Sequence, residues 1–155
     1  GKTIHYIINL QGDLPTINSM ALEKVLNLLS SEENEIGTLV TQFERKEDLK
    51  KDQFVKAVCN LSGSETESYA ENFVRKQGDY ESKNLFHHIG IYSFKRDALE
   101  KFVTLSQTDR EKNEKLEQLR ALDNNMKIKI GLIDFLPLGV DTPDDLEEIR
   151  KILSK

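Results

Sequence analysis

The feature that most constrains this chain is a repeated unit in which an apolar strand passes through a short loop into a helix with a marked start. Residues Thr3 to Leu10 (TIHYIINL) read as a buried strand. Gly12 and Pro15 then stop the ladder and leave Asp13 just beyond the strand's end. Leu22, Val25, Leu26 and Leu29 recur at helical spacing, which predicts a helix over 19–29 with one apolar face. The unit returns further on. Leu85 to Phe94 is a clear strand, and Asp97, with Glu100 three residues later, marks a helix carrying Leu99, Phe102 and Val103. Lys127 to Phe135 is another strand, followed by Thr142-Pro143-Asp144-Asp145, which supplies an N-cap, Pro at the first helical position and acids against the helix dipole. Leu146, Ile149 and Leu153 are the expected core face of that last helix.

Between these units, Gly37 to Thr41 reads as a short strand, and the charge-rich stretches Ser30 to Glu35 and Glu44 to Lys51 read as surface loops. Phe54 to Leu61 and Tyr69 to Val74 flank the Ser62-Gly63-Ser64 turn and predict a hairpin. Thr108-Asp-Arg-Glu111 matches a capping box and opens a helix carrying Leu116, Leu119 and Leu122, ending near Asn124-Asn125. Strands alternating with helices around one hairpin indicate a three-layer α/β fold with a mainly parallel, mixed sheet, forming a single domain over residues 1–155.

Composition narrows the function classes. With 22 Lys+Arg against 27 Asp+Glu the net charge is -5, which argues against coating nucleic acid or a polybasic membrane contact. The longest apolar runs fall far short of a membrane span. The one cysteine, Cys59, excludes an internal disulfide framework and a cysteine-built zinc site, and fits a reducing compartment.

Ligands of open α/β sheets bind beyond the carboxyl ends of strands, which directs attention to Asp13 and, less directly, to Asp141 before the last helix. Two carboxylates without a His or Cys cluster nearby in sequence suit a hard cation such as Mg²⁺ better than zinc. Asp13 also suits an ordinary turn position, and Asp141 the support of a helix start. On the strand, period-two geometry sends His88, Gly90, Tyr92 and Phe94 to one face and His87, Ile89 and Ile91 to the other, so His88 and Tyr92 can meet one ligand. Glu117 and Gln118, about 100° apart on a helix, can line one wall of a pocket.

Four segments, Gln11-Gly-Asp-Leu-Pro15, His88-Ile-Gly-Ile-Tyr92, Glu114-Lys-Leu-Glu-Gln-Leu-Arg-Ala-Leu122 and Gly139-Val-Asp-Thr-Pro-Asp-Asp-Leu146, occur in the order seen in the 3-deoxy-D-manno-octulosonate (KDO) cytidylyltransferases, and together the chain resembles that family. The resemblance implies a nucleotide-diphospho-sugar transferase-like fold and Mg²⁺-dependent transfer of CMP from CTP to KDO, releasing pyrophosphate. It implies metal-binding carboxylates at Asp13 and Asp141, and sugar contacts from Gln11, His88, Tyr92, Glu117 and Gln118. Arg75 matches a family arginine that contacts the sugar acid, although the chain continues as Lys76-Gln77-Gly78-Asp79 where the family has an Ile-Pro segment. No segment resembles the family's phosphate-binding Ala-Arg-x-x-Ser-x-Arg-Leu-Pro-x-Lys loop. The expectation is therefore a C-terminal portion of the enzyme, inactive alone, with the Ile4, Tyr6, Ile8 edge of its first strand exposed. The resemblance further implies a homodimer, with the Phe54 to Val74 hairpin in its contact, and a cytoplasmic role feeding lipopolysaccharide assembly. A related transferase for another sugar acid such as sialate, and a non-catalytic sugar-binding remnant, are the alternatives.

Overall fold

The computed structural model describes residues 3–140 and 142–154. In chain order the elements are β1 (Tyr6–Leu10), α1 (Ser19–Asn27), β2 (Ile36–Thr41), β3 (Lys56–Val58), β4 (Glu67–Tyr69), β5 (Asn72–Val74), β6 (Leu85–Lys95), α2 (Arg96–Thr104), α3 (Asp109–Glu114), α4 (Gln118–Asp123), β7 (Ile128–Leu132) and α5 (Pro143–Leu153). Most strand segments are short, but β6 runs for 11 residues and organises the sheet. One edge of β6 carries β2, while the other is shared end to end by β1, opposite 91–95, and β3, opposite 85–87.

The layered α/β class is as the sequence implies, with a different balance of strand directions. Among the described residues only β2 and β7 pair in parallel, and every other pairing is antiparallel. The reason is connectivity. The strand–helix–strand unit β1–α1–β2 is present, but β6 lies between its two strands and reaches them from the β3–β5 region without a helical crossover, so it runs against both. The expected hairpin exists as the β3–β5 pair, Lys56 opposite Val74 and Val58 opposite Asn72. Its expected second strand is divided, however, and β4 pairs instead with β7 at the far end of the sheet. Only Ala70 and Glu71 separate β4 from β5, and their amides donate to Ile128 O at 2.9 Å and Val58 O at 2.8 Å, so the sheet curls until its two ends meet.

One face of the sheet packs on α1 through Ala21, Val25 and Leu28 against Leu39, Ile89 and Ile91. This stripe is turned from the one read off the sequence, because Leu26 stands 37% exposed. The turn follows from close approach: a Cβ on Gly37 would lie 2.5 Å from Ser93 Oγ and 3.0 Å from Val25 O, so the missing side chain lets α1 settle onto the strand. The opposite face packs Phe73, Phe86, Phe94 and Ile130 against Phe102, Leu116 and Leu119. A 3-10 turn over Lys46–Lys50 occurs where a plain loop was expected, because Leu49 buries against Val58 and Leu85. The first strand is mainly exposed rather than buried, with Ile4 61% and Tyr6 48% accessible; Ile8 packs partly against the α1 layer.

Local capping chemistry forms at Thr108–Glu111 and Thr142–Asp145, both complete capping boxes. Asp97 lies inside the first turn of α2, whose N-cap is Lys95. Val103, Leu146 and Leu153 are exposed rather than core-facing, and Ile149 alone of the described residues of α5 is buried. The expected continuous helix after Thr108 is broken at Lys115, which adopts a left-handed conformation (φ 54°). Arg75 stabilises the break by donating to Glu114 O (3.0 Å) and Lys115 O (3.3 Å), carbonyls that the ended helix leaves unpaired. Across the break, Arg120 clamps α4 to α3 through two bonds to the buried Glu111, at 2.8 and 2.5 Å, and lies over the Phe102 ring. These bonds hold the Glu111 carboxyl below its ordinary pKa. Arg120→Ala leaves that carboxylate buried without its partner, and urea denaturation should show a loss of about 3–5 kcal/mol.

Candidate functional site

The shared edge of β6 generates the site. β1 ends at Leu10 opposite Ile91, and β3 begins at Lys56 opposite His87, so the strand is unpaired by either around Gly90. On the β2 side, Thr38 pairs with Tyr92 while the next residue, Leu39, pairs with Ile89. Gly90 and Ile91 therefore form a bulge, a device that re-aims side chains at functional sites. The cavity that opens here has a volume of about 840 Å³, at the upper end of the range for small-molecule pockets.

Seven residues singled out from the sequence, Gln11, Asp13, Arg75, His88, Tyr92, Glu117 and Gln118, all line this one cavity. They come from four separate regions: the loop after β1, the end of β5, the bulged strand, and the start of α4. Asp141 lies outside the described residues. The segment leading to it is laced to the Asp13 loop, since Val140 N donates to Asp13 O at 3.0 Å and Leu138 N donates to Thr16 Oγ1 at 2.7 Å.

Each group has a distinct electrostatic setting. His88 is half-buried between Phe73 and Tyr92, with ring centroids 5.0 and 5.5 Å away, and its Nε2 lies 2.9 Å from Thr38 Oγ1. Burial, assisted by the neighbouring His87, pushes the imidazole pKa down to about 3, so the ring is neutral at physiological pH. Burial, and secondarily the charge of Glu117, raise the Tyr92 phenol and keep its proton in place. Gln11 sits over Gly90, where a Cβ would come within 3.2 Å of the amide oxygen. Arg75 donates to three carbonyls, those of Glu114, Lys115 and Asp52. A guanidinium carries five N–H donors, so one remains on each terminal nitrogen. The result is a pocket of neutral donors and acceptors, with carboxylates and a partly committed guanidinium around it.

Sequence reading missed two residues that frame the cavity. Lys56 is fully buried, and its ammonium donates to Lys51 O (2.7 Å), Phe54 O (2.8 Å) and Arg75 O (2.5 Å), tying together two segments that line the pocket. Burial lowers its pKa. Thr38, also fully buried, contacts both the bulge and His88. Each was visible as a polar residue inside an otherwise apolar strand. Cys59 has no place in the chemistry: burial raises its thiol to about 12, which suppresses the nucleophilic thiolate.

The profile of the cytidylyltransferase family matches residues 1–128. The chain belongs to that family. It is 44% identical over 149 residues to the 3-deoxy-manno-octulosonate cytidylyltransferase of Rhizobium etli (strain CIAT 652), an alignment covering 96% of this chain and 59% of the relative. Among solved structures it resembles the CMP:2-keto-3-deoxy-manno-octonic acid synthetase complexed with CTP, with a TM-score of 0.84 at 28% identity over 97% of this chain and 62% of that one. An apo UDP-glucose pyrophosphorylase matches at TM-score 0.69 and 12% identity, which shows a shared fold. The chain thus spans about three-fifths of the length of the curated relatives it matches. Among the described residues no helix is long and apolar enough to cross a membrane.

The His88 setting has a consequence for stability. The unfolded ring titrates near its ordinary 6.5 and the folded ring near 3, so between those values the unfolded chain binds a proton that the folded chain refuses. Stability should fall as pH drops below about 6.5, and the contribution is fully lost near pH 3. Thermal midpoints measured from pH 7 to pH 5 should decline, with a shallower slope in His88→Gln. His87, whose pKa burial also lowers, supplies the slope that remains.

Proposed function

We propose that this cytidylyltransferase chain is the sugar-binding part of a KDO cytidylyltransferase, an enzyme that transfers CMP from CTP to KDO and releases pyrophosphate. The observation that carries the reading is the convergence of Gln11, Asp13, Arg75, His88, Tyr92, Glu117 and Gln118 on one cavity. KDO is a polyol bearing one carboxylate, and the pocket matches both features. The neutral His88 and Tyr92 and the two amides offer paired donors and acceptors to hydroxyls without the penalty of desolvating a charge. The two uncommitted N–H groups of Arg75 suit the carboxylate. Phe73 and Tyr92 hold the His88 ring from either side, which limits its freedom before substrate arrives.

Among the described residues there is no cluster of three or more His, Cys, Asp or Glu side chains of the kind that cages a metal. Mg²⁺ typically uses one or two carboxylates and takes its other ligands from water and substrate phosphates. Asp13, exposed and lining the cavity, fits as one such carboxylate, and Asp141 is the proposed second. When bound, the ion would neutralise phosphate charge and lower the pKa of the attacking hydroxyl. The chain's own contribution is to hold the sugar acid at the end of β1, beside Asp13.

The same reading includes a homodimer, with the Phe54 to Val74 hairpin in its contact, acting in the cytoplasm in lipopolysaccharide synthesis.

The full gene product should release pyrophosphate from CTP only when KDO and Mg²⁺ are both present, with sialate a poor competitor. Asp13→Asn should lower kcat at least about a hundredfold, a barrier increase of ~2.7 kcal/mol. Strong sialate turnover would instead identify a transferase for another sugar acid. KDO binding in calorimetry without turnover would identify a sugar-binding remnant.

Gly90→Ala provides a second test. Its new methyl group would press on the end of the Gln11 amide at 3.2 Å and push a flexible side chain out of place. KDO affinity should weaken by about tenfold, the loss of one well-made hydrogen bond, while the denaturation midpoint barely moves.

A further inference from the structure

At the bulge in β6, Thr38 meets two backbone carbonyls of the bulged strand. Its hydroxyl lies 2.8 Å from Ile91 O and 3.3 Å from Ile89 O, and 2.9 Å from His88 Nε2. A threonine hydroxyl has one proton to give and lone pairs with which to accept. Carbonyl oxygens can only accept, and an oxygen–oxygen approach of 2.8 Å requires the hydroxyl proton between the two atoms. The remaining partner must then be the donor. His88 carries its proton on Nε2 and gives it to Thr38, which leaves Nδ1 as a bare acceptor.

Nδ1 has no hydrogen-bond partner among the described residues. It is not sealed away either: His88 Nδ1 is not among the buried side-chain polar atoms that lack a partner, and His88 lines the large cavity. A neutral imidazole with its proton on the inner nitrogen accepts a hydrogen bond at the outer one, which suits a substrate hydroxyl and rejects a second acceptor.

We infer that Thr38 is a positioning residue: by accepting from His88 Nε2 while donating to the bulge, it fixes the tautomer in which Nδ1 receives a hydroxyl of the sugar. This rests on the sugar-binding reading of the same cavity. Thr38 itself touches no substrate; it acts through His88, and it couples the ring's orientation to the bulge that opens the pocket.

The test is carried out on this chain with ¹⁵N-labelled histidine and KDO as the probe. The expected result is a His88 spectrum with Nε2 protonated and Nδ1 unprotonated in the wild type, unchanged in Thr38→Ser. In Thr38→Val the two nitrogens should report a mixture of tautomers, and KDO affinity should fall about tenfold. Thr38→Ser should stay within about threefold of the wild type, since it retains the hydroxyl. A wild-type His88 protonated on Nδ1 overturns the inference, as does a folded Thr38→Val that keeps both the wild-type nitrogen shifts and the wild-type affinity. Should Thr38→Val fail to fold, the wild-type spectrum alone decides the tautomer. A wild type with the expected tautomer and no KDO binding supports the lock by Thr38 and overturns the sugar assignment, so the two failures are separable.

Discussion

Everything in this molecule depends on how β6 divides its hydrogen bonds. The strand is long enough to take β1 and β3 successively on one edge, and it gives its other edge to β2. Where β1 stops and β3 has not yet begun, two residues bulge out on the opposite side, and the strand is neither fully paired nor abandoned. Backbone carbonyls inside a protein are expensive to leave unmet, and a threonine hydroxyl from the neighbouring strand donates to Ile91 O, with Ile89 O 3.3 Å away. The opening at the sheet's edge is thus a supported feature of the ladder, and it is why four distant pieces of chain find one another there.

The pocket built on that opening keeps its inner groups uncharged. Burial holds His88 neutral from below and Tyr92 neutral from above, so the surfaces facing a ligand are hydrogen-bonding surfaces with fixed polarity. Charge lies with Asp13, Glu117 and Arg75, and Arg75 already supports the break between α3 and α4. Such an arrangement separates two tasks: recognition of hydroxyls by groups that need no counter-ion, and management of phosphate or carboxylate charge by groups in contact with water.

What was legible in the sequence follows the range of the interaction involved. The capping box at Thr108–Glu111 and the N-cap at Thr142 were readable because donor and acceptor lie within three residues of each other. The faces of β6 were readable because alternation is a local property of a strand, and they correctly put His88 beside Tyr92. Helix faces were less secure. The stripe of α1 turned because the small residues of Gly37 and its surroundings, far away in sequence, decide which side can approach the sheet. The break at Lys115 had no local signal, since a lysine seldom adopts the left-handed region and is held there by Arg75 from 40 residues away. The directions of the strands were misjudged for a related reason: β6 enters between two strands that precede it, and nothing local announces that. Of the candidate site, the residue types and their motifs were visible, while the roles of Thr38 and Lys56 were not, because each polar residue gains its meaning from partners on other strands or loops.

Lys56 shows one way such a pocket can diversify. Its three acceptors are main-chain oxygens, which every amino acid possesses, so the scaffold around Phe54 and Arg75 does not depend on the side chains displayed there. Substitutions at Gln53 or Phe54 can redraw the shape presented to a ligand while the ammonium keeps the underlying main chain in register. A lineage built on this frame could retune its choice of ligand by small steps, without first having to reinvent the wall.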